Sequence, residues 1–352
     1  MQEIEQLTNT LQEGEDLRSG QAIVAASLMA SPQVDLAAKQ AFLIALSDKG
    51  ETAIEVAAFA ATFRKLALDP DVEAWASQAI DVCGTGGDGS STFNISTAVS
   101  FIIAAAGVPV FKHGNRSITS NCGSADLIEG LGIRLEAPHE VLRESLKELN
   151  FCFFFAPAFH PAFKEIMPVR KALAEQKRRS IFNLLGPLIN PGRPAHQLMG
   201  VFAQAWVKPI AGALDEIGLK AGLVAHCTPA EGLNLDELSC AGRNHVAGFG
   251  SFRGRLVDLR VEELGLKTCG LDSLRGGGVE ENIRTLNLLF NGQREELPEG
   301  LINSVLLNAG AAFWIAGRSE DLRSGVELAR ELLESGRAGQ WLKKAQSFYA
   351  DK

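Results

Sequence analysis

Ala79-Ile80-Asp81-Val82-Cys83-Gly84-Thr85-Gly86-Gly87-Asp88-Gly89 is the stretch on which the fold and the chemistry of this chain turn. Residues 79–83 read as a buried strand. The glycines that follow let the backbone come close to an anion and adopt positive φ, so successive N–H groups can face phosphate oxygens. A tight turn without a ligand is the plainer alternative. The run also spells Gly-x-Gly-x-x-Gly, the dinucleotide fingerprint. Two features oppose that reading. A helix should open directly on the glycines, yet 90–94 intervene before Ser96 and Thr97. The next strand should end on an acidic residue that holds a ribose, yet it ends on Lys112-His113. The Gly-Lys-Ser/Thr ending of an NTPase phosphate loop is missing too.

The neighbouring segments extend the phosphate theme. Asn94-Ile95-Ser96-Thr97 heads a long apolar helix, with Ser96 or Thr97 as the expected N-cap. A helix N-terminus is also an anion site. Lys112-His113-Gly114-Asn115-Arg116 leaves the strand 108–111. Lys and Arg side by side would suit a second phosphate, one as a point charge and the other as a fork of donors. Ser117, Thr119, Ser120 and Ser124 add hydroxyls, and Gly123 permits close approach. A solvated basic loop is the plainer reading. Far along the chain, Asn234-Leu235-Asp236-Glu237 places two carboxylates together. In an irregular loop they can reach magnesium ions, which take one or two carboxylates and share the rest with phosphates and water. Most acidic loops are only solvated. The histidines have no zinc spacing, and no serine nucleophile elbow is present.

Outward from these motifs, short apolar runs alternate with helical ones: 108–111, 151–156, 198–202 and 222–225 against 97–106, 139–149 and 206–217. That alternation predicts an α/β fold with a mainly parallel central sheet, whose ligands lie beyond the carboxyl ends of the strands. Helices at 278–289, 300–315 and 320–333 close the chain. Residues 1–68 read as helices only, with Ser31-Pro32 opening one over 34–46 and a second over 52–68. Asp69-Pro70-Asp71 breaks the pattern. The expected division is a small all-helical domain over 1–76, joined by helices from about 160–192, and an α/β domain over 77–352.

The net charge of −8 and the 7% aromatic content argue against a nucleic-acid binder, which needs a basic surface and stacking platforms. The longest apolar run, 98–111, is broken by Ser100, Gly107 and Pro109 and is too short for a membrane span of ~20 residues. The opening Met1-Gln2-Glu3-Ile4-Glu5 is too acidic for a signal peptide. Six cysteines without a Cys-x-x-Cys pair read as reduced thiols of a cytoplasmic protein.

Taken jointly, Asp-x-x-Gly-Thr-Gly-Gly-Asp-Gly, Asn-Ile-Ser-Thr, Lys-His-Gly-Asn-Arg and Gly-Ser-Ala-Asp resemble the anthranilate phosphoribosyltransferase family. Phe182-Asn183-Leu184-Leu185-Gly186-Pro187-Leu188, Asn190-Pro191 and the closing Leu307-Asn308-Ala309-Gly310 carry the resemblance over nearly the whole chain. It implies transfer of the phosphoribosyl group of PRPP to the amine of anthranilate, in tryptophan biosynthesis. It implies PRPP at Gly84, Gly87, Asp88, Thr92, Asn94, Ile95, Ser96, Thr97, Lys112, His113, Gly114, Asn115, Arg116, Ser117, Ile118, Thr119, Ser120 and Ser124. Anthranilate would meet Gly84, Asn115 and Arg170, the last a fork-shaped cation for its carboxylate. Magnesium, as two ions, would meet Ser96, Asp236 and Glu237. A homodimer through the helical domain is implied as well. The segment 174–179 is longer than the family pattern, and Asn234-Leu235 stands where Gly-Leu is usual. Three rival readings remain. A pyrimidine-nucleoside phosphorylase shares the fold but uses free phosphate. A non-catalytic nucleic-acid-binding paralogue would show a basic surface and eroded carboxylates. A relative could accept another aromatic amine.

Overall fold

The computed structural model describes residues 2–117, 121–229, 233–255 and 259–352. Helices come first: α1 Gln2–Gln12, α2 Ser19–Met29, α3 Leu36–Lys49, α4 Ala53–Lys65 and the single turn α5 Glu73–Ala76. In α4, Thr52 and Glu55 form a reciprocal capping box. Val56, Phe59, Ala60 and Phe63 then fall on one buried stripe at helical spacing. The expected start of α3 at Ser31-Pro32 is corrected. Asp35 caps it instead, its carboxylate accepting the Ala38 N–H at 2.8 Å. The Ser31 hydroxyl is spent locally on the Gln33 N–H.

The rest of the chain winds around a six-stranded sheet. Its strands are β1 Ile80–Gly84, β2 Val110–Gly114, β3 Phe151–Phe155, β4 His196–Gly200, β5 Ala221–Pro229 and β6 Gly242–Gly250. They lie in the order β3-β2-β1-β4-β5-β6, the first five parallel and β6 antiparallel to β5. The α/β class with a mainly parallel sheet is thus the observed one. Helices α6 Ile95–Ala105, α7 Ser124–Gly130, α8 His139–Leu149, α9 Ala156–Phe159, α10 Met167–Glu175 and α11 Val207–Ile217 fall between the strands. Helices α12 Val279–Phe290, α13 Glu299–Ile315, α14 Leu322–Glu334 and α15 Arg337–Ala350 follow them.

Burial explains the layering. β3 is Phe-Cys-Phe-Phe-Phe and is buried on both faces, as a parallel strand between helical layers must be. Phe151, Phe153 and Phe155 pack with α6, while Cys152 and Phe154 join Val72, Phe111 and Phe159 on the other face. α6 is apolar all round because it lies between the sheet and α13, α14 and α15. A second core joins Ile4, Phe42, Phe59 and Phe63 of the first helices to Ile166, Leu173, Phe182 and Leu188. It reaches the sheet at Met199, Val224 and Phe249. Among the described residues, no helix is long and apolar enough to cross a membrane.

Candidate active site

β1 is the branch point of the sheet, with β2 and β3 on one side and β4 to β6 on the other. Where neighbouring strands lead away in opposite directions, a crevice opens beyond their carboxyl ends. Here the neighbours are β1 and β4, and their last residues, Gly84 and Gly200, are register partners. What lies on them demands glycine. A Cβ at Gly84 would overlap the Asp236 carboxylate, and one at Gly200 would overlap the Asp236 main-chain carbonyl. The carboxylate pair that sequence places far from the glycine run therefore sits directly on the strand that begins it.

The glycine run is held in place by several tethers. Gly86, Gly87 and Gly89 have φ of 69°, 75° and 77°, a region that side chains disfavour. The Thr85 N–H donates to the Gly200 carbonyl at 3.0 Å, and its hydroxyl accepts the Phe202 N–H at 3.0 Å. The Gly86 N–H donates to Asp236 Oδ2 at 2.6 Å. Asp88 accepts the Ser90 N–H at 3.1 Å, and the Ser90 hydroxyl donates to the Asn234 carbonyl at 2.5 Å. Thr92 continues as an isolated bridge to Arg275. The glycine run and the 234–237 segment are one interlocked unit.

Its electrostatics call for a cation. Burial pushes the Asp236 carboxyl up to about 7, with the Asp88 charge adding to it and the Gly86 N–H opposing. Burial likewise pushes Glu237 well above the usual range. Asp236 and Asp88 add to that shift, while Lys112 and the Ser96 N–H oppose it. Glu237 Oε2 is enclosed and, among the described residues, has no hydrogen-bond partner. Among the described residues, no group of three or more His, Cys, Asp or Glu side chains forms a closed metal cage. Hard oxygen donors in short supply, with one buried oxygen unsatisfied, fit a magnesium ion that takes its remaining ligands from phosphate and water.

The N-terminus of α6 supplies the anion-facing side. The cap residue is Asn94 rather than Ser96 or Thr97. Its side chain does not cap the helix. It donates to the Cys122 carbonyl at 3.0 Å and accepts from Asn282 at 2.9 Å. Ser96 then falls in the first turn, where its N–H is free of the helix ladder. The Ile95 and Thr97 side chains are buried, so only their backbone can face a ligand.

The exit of β2 differs from expectation. The strand runs on to Gly114, so Lys112 and His113 lie inside it and point to opposite faces. Lys112 is buried, its ammonium donating to the Val82 carbonyl at 2.6 Å and the Ser96 hydroxyl at 3.2 Å. Arg116 is exposed and paired with Glu129 at 2.6 Å and Asp126 at 3.3 Å. The expected side-by-side pair of cations is therefore not formed. Lys112 stands under α6, and Arg116 lies out over α7. Asn115 through Ser117 pack on Gly123 and Ser124: the Asn115 carbonyl accepts the Ala125 N–H, and Asp126 accepts the N–H groups of Ser117 and Gly123. A Cβ at Gly114 would overlap the Ser124 hydroxyl. Ile118, Thr119 and Ser120 lie outside the described residues.

On the opposite face, His113 and His160 meet through their Nε2 atoms at 3.0 Å. His113 Nδ1 lies 3.1 Å from the Gly186 carbonyl, which can only accept, so Nδ1 carries the hydrogen. His113 Nε2 is then a bare acceptor, and His160 Nε2–H is the donor. His160 Nδ1 is left as a buried lone pair, without a partner among the described residues. Burial pushes His113 down to about 3 and His160 to about 4, so the pair is neutral at pH 7. Arg170, on α10, lies on the helix that follows this pair in sequence. Burial lowers its pKa, and among the described residues its guanidinium has no hydrogen-bond or ion-pair partner.

Comparison with known proteins gives the family. The model of the glycosyl transferase family a/b domain matches residues 76–339. Anthranilate phosphoribosyltransferase of Petrotoga mobilis is 39% identical over 335 residues, covering 95% of this chain and 94% of its own. The crystal structure of anthranilate phosphoribosyltransferase from Thermus thermophilus is 41% identical with a TM-score of 0.86, covering 98% of this chain and 99% of its own. The chain belongs to the anthranilate phosphoribosyltransferase family. A more distant structure, the Saccharomyces cerevisiae enzyme in complex with PRPP and Mg, shares the fold at 23% identity. Its TM-score is 0.83, with 99% of this chain and 98% of that one covered.

Within this family fold, the positions of Gly200 and Asn190 at the site were not legible in the sequence. Asn190 donates to Asp81 at 2.9 Å and to the Phe111 carbonyl at 2.8 Å, tying β1 to β2 beneath the site. Asn190-Pro191 was visible as a motif, but its partner Asp81 was not. For Gly200 the available signal was a glycine inside the apolar run 198–202.

Proposed function

We propose that this chain transfers the phosphoribosyl group of PRPP to the amine of anthranilate, releasing N-(5-phosphoribosyl)anthranilate and pyrophosphate in tryptophan biosynthesis. The observation that carries it is the Asp236-Glu237 pair, with the buried Asp236 seated on Gly84 and Gly200 and the pair facing both the glycine run and the N-terminus of α6.

The residues act by holding and shielding. The N–H groups of 87–89 and the N-terminus of α6 receive the phosphate oxygens of PRPP. Asp236, Glu237 and the Ser96 hydroxyl would hold magnesium, as two ions. Magnesium, when bound, supplies positive charge against the charge that develops on departing pyrophosphate. Lys112, fixed beneath Ser96, adds a buried positive charge on the same side. Anthranilate's aromatic amine is already neutral at pH 7, so no strong general base is required. Arg170, half-buried and unpartnered among the described residues, supplies the fork for the anthranilate carboxylate.

Two expectations test this division. Pyrophosphate release should require PRPP, anthranilate and magnesium together. Release without anthranilate, or liberation of free base from a nucleoside and phosphate, would overturn the assignment. Arg170→Ala should raise the KM for anthranilate by about a hundredfold, the cost of a lost bidentate charge pair, with the KM for PRPP little changed. A selective rise in the KM for PRPP would move Arg170 to the donor side.

We further propose a homodimer through the helical part, residues 1–76 with 160–192. The exposed Ile23, Leu36 and Ile54 lie on that part and give it apolar surface to cover. Six free thiols suit a cytoplasmic location.

A further inference from the structure

Arg179 lies in the stretch between α10 and the turn Ile181–Asn183. It is exposed, and among the described residues it pairs with no carboxylate. Its guanidinium lies 4.0 Å from the centroid of the Phe202 ring, and Nη2 donates to the Gly87 carbonyl at 2.7 Å. Phe202 is itself tied to the glycine run, through its N–H to the Thr85 hydroxyl. The other end of the segment is anchored on α3. The Ser47 hydroxyl donates to the Arg179 carbonyl at 3.2 Å, and Arg178 pairs with Asp48 at 2.7 Å.

The consequence follows from peptide geometry. The Gly87 carbonyl and the Asp88 N–H belong to one planar trans peptide, so they point in opposite directions. Gly87 sits at φ 75°, with little steric preference of its own to fix that plane. A rigid guanidinium, stacked on an aromatic ring, can fix it. With the carbonyl held by Arg179, the Asp88 N–H is turned away from Arg179.

We propose that Arg179 is a positioning residue for the phosphate-bearing substrate: it grips the Gly87 carbonyl and so aims the Asp88 N–H at the donor's phosphate oxygens. Its backbone carbonyl, held by Ser47, and the neighbouring Arg178, paired with Asp48, link the glycine run to the first helices. Arg179 itself touches no substrate. The inference rests on the phosphoribosyl-transfer reading above.

The test is calorimetric titration of PRPP with magnesium into the full chain, Arg179→Ala and Arg179→Lys, with Tm and steady-state kinetics for each. Arg179→Ala should weaken PRPP binding and raise its KM by about tenfold, roughly one charge-assisted hydrogen bond. The KM for anthranilate and the Tm should be little changed, since an exposed arginine contributes little to stability. Arg179→Lys should recover part of the loss, keeping the charge and a donor without the planar stack. PRPP affinity in Arg179→Ala equal to that of the unmutated chain would overturn the inference and leave the function standing. So would a loss that appears only alongside a fall in Tm and that Arg179→Lys does not recover. Failure of the unmutated chain to bind PRPP would overturn the function, and the inference with it.

Discussion

An Asp236→Ala, Glu237→Ala double variant should lose magnesium-dependent turnover by about three orders of magnitude or more and still fold. The loss follows from removing both carboxylates that could hold the cation against a departing pyrophosphate; single electrostatic groups at such positions are worth about a hundred- to a thousandfold. Folding should survive because the two acids do not stabilise the metal-free chain as ions. Burial and repulsion from neighbouring carboxylates raise both of their pKa values. A carboxylate whose folded pKa is raised stabilises least where it must ionise. Its contribution is most favourable below the unfolded value and falls as pH rises through the folded one, about 7 for Asp236. At pH 8, without metal, the double variant should therefore melt no lower than the unmutated chain. Turnover assays at saturating PRPP, run beside thermal melts, check both halves. Near-normal rates would remove the carboxylates from the site.

Gly200→Ala should be nearly as damaging, although residue 200 carries no functional group. Its Cβ would overlap the main-chain carbonyl of Asp236, which no rotamer change can relieve. The segment has little room to retreat, because Leu235 is bridged to Cys227 by hydrogen bonds of 3.0 and 2.9 Å. Either the end of β4 or the carboxylate pair must shift. Overpacking of this kind costs about 1–3 kcal/mol. Misplacement of a positioned group by about 1 Å costs about a hundredfold in rate. Gly20→Ala is the control: it lies in α2 at ordinary φ with open space at its Cβ, and it should leave both Tm and rate nearly unchanged. An active Gly200→Ala enzyme with an unchanged Tm would mean that the 234–237 segment does not rest on β4.

These two variants also mark where sequence was informative. The α/β alternation was legible because each parallel strand is a short apolar run and each helix has its own period. α8 was readable to the residue because an amphipathic stripe ends on Asn150, a left-handed cap. β6 was not readable. Its sequence, Gly242-Arg243-Asn244-His245-Val246-Ala247-Gly248-Phe249-Gly250, has no clean alternation, and it is a strand because it pairs with β5 along its length. The direction of Lys112 was hidden for a related reason. A lysine and a histidine after an apolar run look like a loop, and only the parallel register with β3 keeps both in the strand. The glycine run and the carboxylate pair were each visible locally. Their contact joins residues some 150 positions apart, and no local pattern encodes it. Arg116 shows the same limit in reverse: its motif was plain, but its partners Asp126 and Glu129 on α7 were not.

The central claim is that the interlocked glycine run and carboxylate pair serve transfer of a phosphoribosyl group to anthranilate. The most direct measurement is the fluorescence of anthranilate, followed after mixing with the full chain, PRPP and magnesium. Fluorescence should fall continuously, and the loss should stop when any one of the three is left out or magnesium is chelated. Anthranilate fluorescence that persists while PRPP is shown to bind would contradict the assignment of anthranilate as the acceptor.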